Sequence, residues 1–294
     1  AKLKSMLPNW DHAISPDMMR ILHNFLLGVN ESMFEDFKVR FKTAGSDWGF
    51  NRYSPLVKEM LNTLLENIMQ CDISGTENLV DALNDLRENR MERLVIVSNH
   101  LSYGDANIIA AAFDKYLKNA GMEGNLSVIA GPKVYTDPFR KFSSLHFNAL
   151  LIAQSLAVAT PEAIMPVREI ARATKKVVED IKKYVKIFLV FPEGSRSRNG
   201  EMKFFLPGVL RLIDTGDNVG VLPVSTLGGN VMLPIGESKL YPADIKITIG
   251  AVQKVENVKR IYSGTNSSKQ EIMNHFGRMV AQIHPENMRG FYGK

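Results

Sequence analysis

Cys71 is the only cysteine among 294 residues. No disulfide can form within the chain, and a reducing compartment is the expected setting. With one cysteine and no histidines at ligand spacing, no metal site is expected, and Cys71 reads as a small buried hydrophobe. Long apolar runs are also missing. The longest, Ala149 to Ala159, is interrupted by Gln154 and Ser155 and falls short of the roughly eighteen residues a membrane-spanning helix needs. Lys2 and Lys4 are followed by polar and charged residues rather than an apolar run, so no secretory signal is expected. The sequence has no His-Glu-x-x-His, Gly-x-Ser-x-Gly, Walker loop or dinucleotide fingerprint, which sets aside metalloprotease, α/β-hydrolase, P-loop and Rossmann chemistry. The excess of positive charge is small, with 36 Lys and Arg against 31 Asp and Glu for a net charge of +5. It is spread along the chain, without a basic arm, an aromatic RNA-binding signature or a helix-turn-helix pattern, so nucleic acid is not an expected partner. A phosphorylated substrate, an acidic carrier or an anionic membrane surface fits this charge better.

What the sequence contains is two kinds of pattern. Ser15-Pro16-Asp17 is a helix start with proline at the first helical position, and Met18, Ile21, Leu22, Phe25 and Leu26 follow at helical spacing. Ser54-Pro55 repeats the device before Leu56, Val57, Met60, Leu61, Leu64, Leu65 and Ile68, with a further helix over 31–41 between them. Residues 1–75 are therefore expected to form a small N-terminal helical domain. From Ile73 onward, short apolar runs alternate with helical segments. The runs are Leu94 to Val97, Leu126 to Ala130, Ala149 to Ala153, Ile187 to Phe191 and Val219 to Val224, and the clearest helix is Ile170 to Tyr184. This alternation predicts an α/β domain over 76–294, with a mainly parallel central sheet flanked by helices. Ile245 to Val255 is expected as a late strand and Ser268 to Ile283 as a closing helix.

The chemistry-bearing residues follow two of these strands. After Leu94 to Val97 comes Ser98-Asn99-His100-Leu101-Ser102-Tyr103-Gly104-Asp105, and the small residues from Ala106 to Ala112 begin a helix. A carboxylate at the mouth of that helix can reach back to one imidazole nitrogen of His100, fixing the tautomer and freeing the other nitrogen to take a proton. Asp105 as a plain helix cap is the alternative. After Ile187 to Phe191 comes Pro192-Glu193-Gly194-Ser195-Arg196-Ser197-Arg198. In an extended loop Arg196 and Arg198 point the same way, two guanidinium forks at a strand end, where α/β proteins place ligands. Glu193 is expected to hold the arginines or the loop in position, and Gly194 to allow close backbone approach. His12, His23, His146, His275 and His284 show no metal spacing and read as surface or satisfied core groups.

Together these segments resemble the glycerolipid acyltransferases, the family of glycerol-3-phosphate and lysophosphatidic acid acyltransferases. Asn99 to Asp105 looks like the family's first block, Phe191 to Arg198 its third and Val221-Leu222-Pro223-Val224 its fourth, preceded by a lead-in like Ser74-Gly75-Thr76-Glu77-Asn78-Leu79. Ala130-Gly131-Pro132-Lys133-Val134-Tyr135-Thr136-Asp137-Pro138, with Lys141 and Asn148, resembles the soluble chloroplast-type glycerol-3-phosphate acyltransferases. The resemblance implies a thioester donor, acyl carrier protein or acyl-CoA, and no further cofactor. It implies glycerol-3-phosphate as acceptor, with a lysophospholipid as the alternative, and a soluble cytoplasmic or plastid-stroma-like location, peripheral at the membrane surface. His100 would be the general base, with Asp105 as its partner. Arg196, Arg198, Lys133 and Gln154 would face the acceptor's phosphate, and Glu193, Gly194 and Ser195 would support the loop and the oxyanion. A non-catalytic lipid- or phosphate-binding relative would be expected to lose His100 or Asp105, and both are present. One departure stands out: where most members end the second block with a basic group, this chain has Gln154. The missing charge is then expected from Lys133, Lys141 or Arg168.

Overall fold

The computed structural model describes residues 15–153, 166–237, 239–263 and 269–293. Along the chain the elements are α1 (Pro16–Leu27), α2 (Glu31–Thr43), β1 (Gly49–Asn51), α3 (Pro55–Ile68), β2 (Met69–Ser74), α4 (Thr76–Arg87), β3 (Arg93–Ser98) and α5 (Asp105–Asn119). They continue with β4 (Leu126–Ala130), α6 (Pro138–Ser143), β5 (Asn148–Leu151), α7 (Val167–Tyr184), β6 (Ile187–Val190), α8 (Leu210–Ile213), β7 (Val219–Leu227) and α9 (Gly229–Met232). The last are β8 (Ala243–Ile249), β9 (Gln253–Lys254), α10 (Val255–Ile261) and α11 (Lys269–Gln282). The strands form one sheet in the order β1-β5-β4-β6-β3-β7-β8-β2, with β9 also pairing with β7.

The five central strands, β5, β4, β6, β3 and β7, run parallel, as their unbroken apolar runs predict. Alternate residues of each strand serve opposite faces. Leu94 and Ile96 of β3, with Ile187 and Leu189 of β6, join one core with Met18, Phe37, Leu56, Leu79 and Phe113 from α1 to α5. Val95, Val97, Phe188 and Val190 join a second core with Val177 and Ile181 of α7, Val258 of α10 and Phe276 of α11. Each such side chain contributes about 1.5–3 kcal/mol by burial. A strand apolar at every position is the consequence of helices on both faces.

The sheet's margins differ from the sequence reading. The segment read as purely helical supplies two strands: β1 pairs antiparallel with β5, and β2 runs parallel to β8 at the far edge. Its helices share the core of the sheet's first face. Cys71, on edge strand β2, is exposed rather than buried. The late strand is broken in two. Pro223 accepts the Gly250 N–H at 2.9 Å but has no N–H to return, and pairing to β7 lapses between Ile249 and Gln253. The helix starts hold: Ser15 Oγ accepts the Met18 N–H, and Pro55 occupies the first turn of α3. Gly75 caps α4 at φ +74°, with Ile249 O where a Cβ would stand, and Asn78 Nδ2 donates to that carbonyl at 3.0 Å. The lead-in before the first block therefore fastens α4 to β8.

Candidate active site

β3 and β6 are neighbours in parallel register, Val97 beside Val190. Residues 98–105 and 191–198 therefore leave the same edge of the sheet side by side, at the carboxyl ends of the strands, where open α/β sheets bind ligands. Ser197 N donates to the carbonyl of His100 at 2.7 Å, tying the two loops together.

The first loop wraps around a carboxylate. Asp105 is fully buried, and its Oδ2 accepts the backbone N–H of Leu101 at 2.6 Å and of Ser102 at 2.8 Å. The same oxygen lies 2.9 Å from His100 Nδ1. Asp105 is thus the first residue of α5 but does not cap it, since its side chain faces back into the loop. With Nδ1 as donor, Nε2 carries the imidazole lone pair, and it has no hydrogen-bond partner among the described residues. The ring stacks on Phe191, centroids 4.2 Å apart at 16°, and the side chain keeps 17% exposure. An oriented ring with one open nitrogen is the arrangement a general base requires.

Two further ties hold this loop. Asn99, buried at the end of β3, donates from Nδ2 to Thr226 O at 2.9 Å and accepts the Thr226 N–H at 2.8 Å, joining the loop to β7. Glu193 accepts the N–H of His100 on Oε1 at 3.0 Å and that of Lys203 on Oε2 at 3.2 Å. Burial pushes the Glu193 carboxyl up to about 7, although both N–H bonds and the nearby Lys203 charge pull it down. Of the two roles open to Glu193, holding the arginines or the loop, its bonds run to the loop backbone at His100 and Lys203.

The basic groups gather at the second loop. Arg196 lies with its guanidinium carbon 3.6 Å from the centre of the Tyr103 ring. Arg198 is exposed. Lys203 donates to Ser195 Oγ at 2.6 Å and to the Arg196 carbonyl at 3.0 Å. Burial holds its ammonium below the usual lysine range, opposed by the charge of Glu193 and reinforced by Arg198 and Arg196. Lys203 went unnoticed in the sequence because it belongs to neither motif. Lys133 sits half-buried in the turn after β4, whose strand neighbours β6. Gln154 lies outside the described residues. The Gly194 N–H closes a turn onto Phe191 O at 3.1 Å, so a backbone N–H near Gly194 that serves the oxyanion would be a neighbour's. The Ser195 N–H has no acceptor among the described residues.

Of the remaining histidines His12 lies outside the described residues, and all but His284, whose buried Nε2 has no hydrogen-bond partner among the described residues, sit as expected. His146 is buried between Asn62 and Asn107, and burial pushes it down to about 3. His284 is buried against Ser225 and is likewise pushed down, to about 4. His23 is exposed. Among the described residues no helix is long and apolar enough to cross a membrane.

The profile of the Acyltransferase family matches residues 71–227, more than half of the chain and both loops. The chloroplastic glycerol-3-phosphate acyltransferase of Spinacia oleracea is 26% identical over 218 residues, covering 69% of this chain and 43% of that protein. The chain thus spans less than half the length of this relative. The crystal structure of the 1-acyl-sn-glycerophosphate (LPA) acyltransferase of Thermotoga maritima superposes with a TM-score of 0.48 at 19% identity, covering 89% of this chain and 84% of that one. With the family profile spanning the His100 loop, the Glu193 loop and the strands that carry them, this chain belongs to the Acyltransferase family.

Proposed function

We propose that the protein moves a fatty acyl group from an acyl thioester, acyl-CoA or acyl carrier protein, to a hydroxyl of glycerol-3-phosphate. The observation that carries this reading is the His100–Asp105 pair at 2.9 Å, open at Nε2 and set beside the Arg196 and Lys203 cluster. The likeness to the spinach glycerol-3-phosphate acyltransferase supports the choice of acceptor.

In the proposed reaction the acceptor's phosphate lies against the cationic groups of the second loop, and its hydroxyl meets His100 Nε2. As the hydroxyl oxygen forms its bond to the thioester carbonyl carbon, Nε2 takes the proton. Asp105 holds the imidazolium through Nδ1–H, as the carboxylate does in hydrolytic triads, and no enzyme nucleophile intervenes. The carbon–sulfur bond then breaks, and the thiolate takes the proton back from Nε2. The cycle balances without a further cofactor. The Ser195 N–H is the donor on this loop suited to the developing oxyanion.

The test is a labelled acyl thioester offered with glycerol-3-phosphate or with 1-acylglycerol-3-phosphate, comparing the unaltered protein with His100→Ala. Acylated glycerol phosphate is the expected product, falling by about 10²- to 10⁴-fold in the variant at unchanged melting temperature. A folded His100→Ala protein that keeps most of its turnover overturns the mechanism. Product from the lysophospholipid alone overturns the acceptor.

A further inference from the structure

One basic residue beside the site belongs to none of the sequence motifs. Arg140, on the short helix α6, holds its guanidinium carbon 4.8 Å from the centre of the Tyr103 ring. Arg196 meets the same ring at 3.6 Å. Tyr103 stands three residues beyond His100, so both cations are anchored to the loop that carries the proposed base. Cation–π attraction to the ring compensates part of their mutual repulsion. The nearest carboxylate does less for Arg140. Asp137 accepts the Arg140 backbone N–H at 2.8 Å as the cap of α6, and the guanidinium Nε lies 3.6 Å away, beyond hydrogen-bond range. The Arg140 side chain keeps 26% exposure. Arg196 has no carboxylate partner among the described residues. Two like charges, drawn to one ring and weakly neutralised, form a place where an anion gains from both.

We propose that Arg140 and Arg196 together clamp the acceptor's phosphate, with the Tyr103 ring setting their spacing. This rests on the reading of the protein as a phosphate-acceptor acyltransferase. An anion bridged by two guanidinium groups through bonds of about 2.8 Å places their central carbons up to roughly 8 Å apart. The distances of 3.6 and 4.8 Å to a common centre limit the separation of the two groups to about that span. Lys141, next to Arg140 and an expected source of the charge missing at Gln154, instead lies 5.3 Å from the Phe41 ring of α2.

The experiment measures steady-state kinetics of Arg140→Gln and Arg140→Lys with glycerol-3-phosphate and an acyl thioester, with Lys141→Gln as a neighbouring control. Loss of one charge-assisted interaction raises the acceptor KM of Arg140→Gln by about 10- to 100-fold, with kcat and the donor KM within about threefold. Arg140→Lys, which keeps the charge but not the fork, falls between, and Lys141→Gln stays near the parent. Thermal melting accompanies each variant, and Arg140→Lys carries the test if Arg140→Gln does not fold. An unchanged acceptor KM in a folded Arg140 variant, while the parent acylates glycerol-3-phosphate normally, overturns the clamp alone. A parent that acylates no phosphorylated acceptor overturns the underlying reading, and the clamp with it. A fall in kcat at constant acceptor KM also refutes the clamp, since it makes Arg140 a support for the loop.

Discussion

Replacing Gly229 with alanine tests the proposed base from the side opposite to His100. Gly229 opens α9, and a Cβ built on it falls closer than 3.0 Å to Asp105 Oδ1, and 3.4 Å from both Asp105 Cγ and Ile108 Cδ1. Gly228, just before it, adopts φ +89°, and a Cβ there would meet Asp244 O and Ile245 Cδ1 of β8. The carboxylate must therefore turn or shift by roughly 1 Å to restore ordinary contact. Its Oδ2 bonds at 2.6, 2.8 and 2.9 Å to Leu101 N, Ser102 N and His100 Nδ1 do not survive a displacement of that size. A misplacement of about 1 Å in a catalytic group costs on the order of 10²-fold in rate, about 2.7 kcal/mol of barrier. Overpacking adds roughly 1–3 kcal/mol of destabilisation. We expect kcat for Gly229→Ala to fall by about 10²-fold, with the acceptor KM within about threefold because the arginines on Tyr103 are untouched. The assay follows free thiol released from the acyl thioester in the presence of glycerol-3-phosphate, with a melting curve for each protein. Gly208→Ala, where a Cβ meets nothing within 4 Å, is the silent control. A folded Gly229→Ala protein with more than half the parent's turnover refutes the claim that Asp105 orients the base.

Two further outcomes follow from the ties on the same loop. Asn99→Ala leaves the Thr226 N–H and C=O without their buried partners, so the denaturant midpoint should drop by an amount equal to about 2–4 kcal/mol at constant slope; a change below about 0.5 kcal/mol shows that the clip is not needed. Glu193, held up to about 7 by burial, keeps a proton in the folded protein that the unfolded chain loses near pH 4.5, so stability falls as pH rises between those values. The loss is at most roughly 3 kcal/mol across the window, and Glu193→Gln should flatten the melting temperature between pH 5 and pH 7.5; parallel profiles for the two proteins would remove Glu193 as the titrating group.

The central strands were legible because they are covered on both faces, which demands apolar residues at every position. Leu94 to Val97 and Ile187 to Val190 could hardly be anything else. The edges obey a weaker rule. β2, Met69–Ser74, is covered on one side and pairs with β8 alone, so Gln70, Cys71 and Asp72 are tolerated and the run does not read as a strand. β1 has three residues, too few for any period to show. The break after Ile249 depends on Pro223, a residue in another strand, and Gly250 is the local sign of it within Ile245 to Val255.

The same division between local and distant contacts governs the site. His100 and Asp105 were paired from the sequence because five residues of chain suffice to bring them together, and the cap alternative fell only when the carboxylate proved to accept from Leu101 and Ser102 behind it. Every other part of the arrangement joins segments far apart in the chain: Asn99 to Thr226, Glu193 to the His100 backbone, Gly229 to Asp105, Arg140 and Arg196 to Tyr103. Those contacts are set by strand order, which puts β3 between β6 and β7. The first loop is consequently gripped by the ends of both neighbours, through Thr226 on one side and Glu193 on the other. The proposed base, held from both sides, keeps its direction before any substrate arrives, and that preorganisation is what the adjacency of the three strands would contribute to the chemistry.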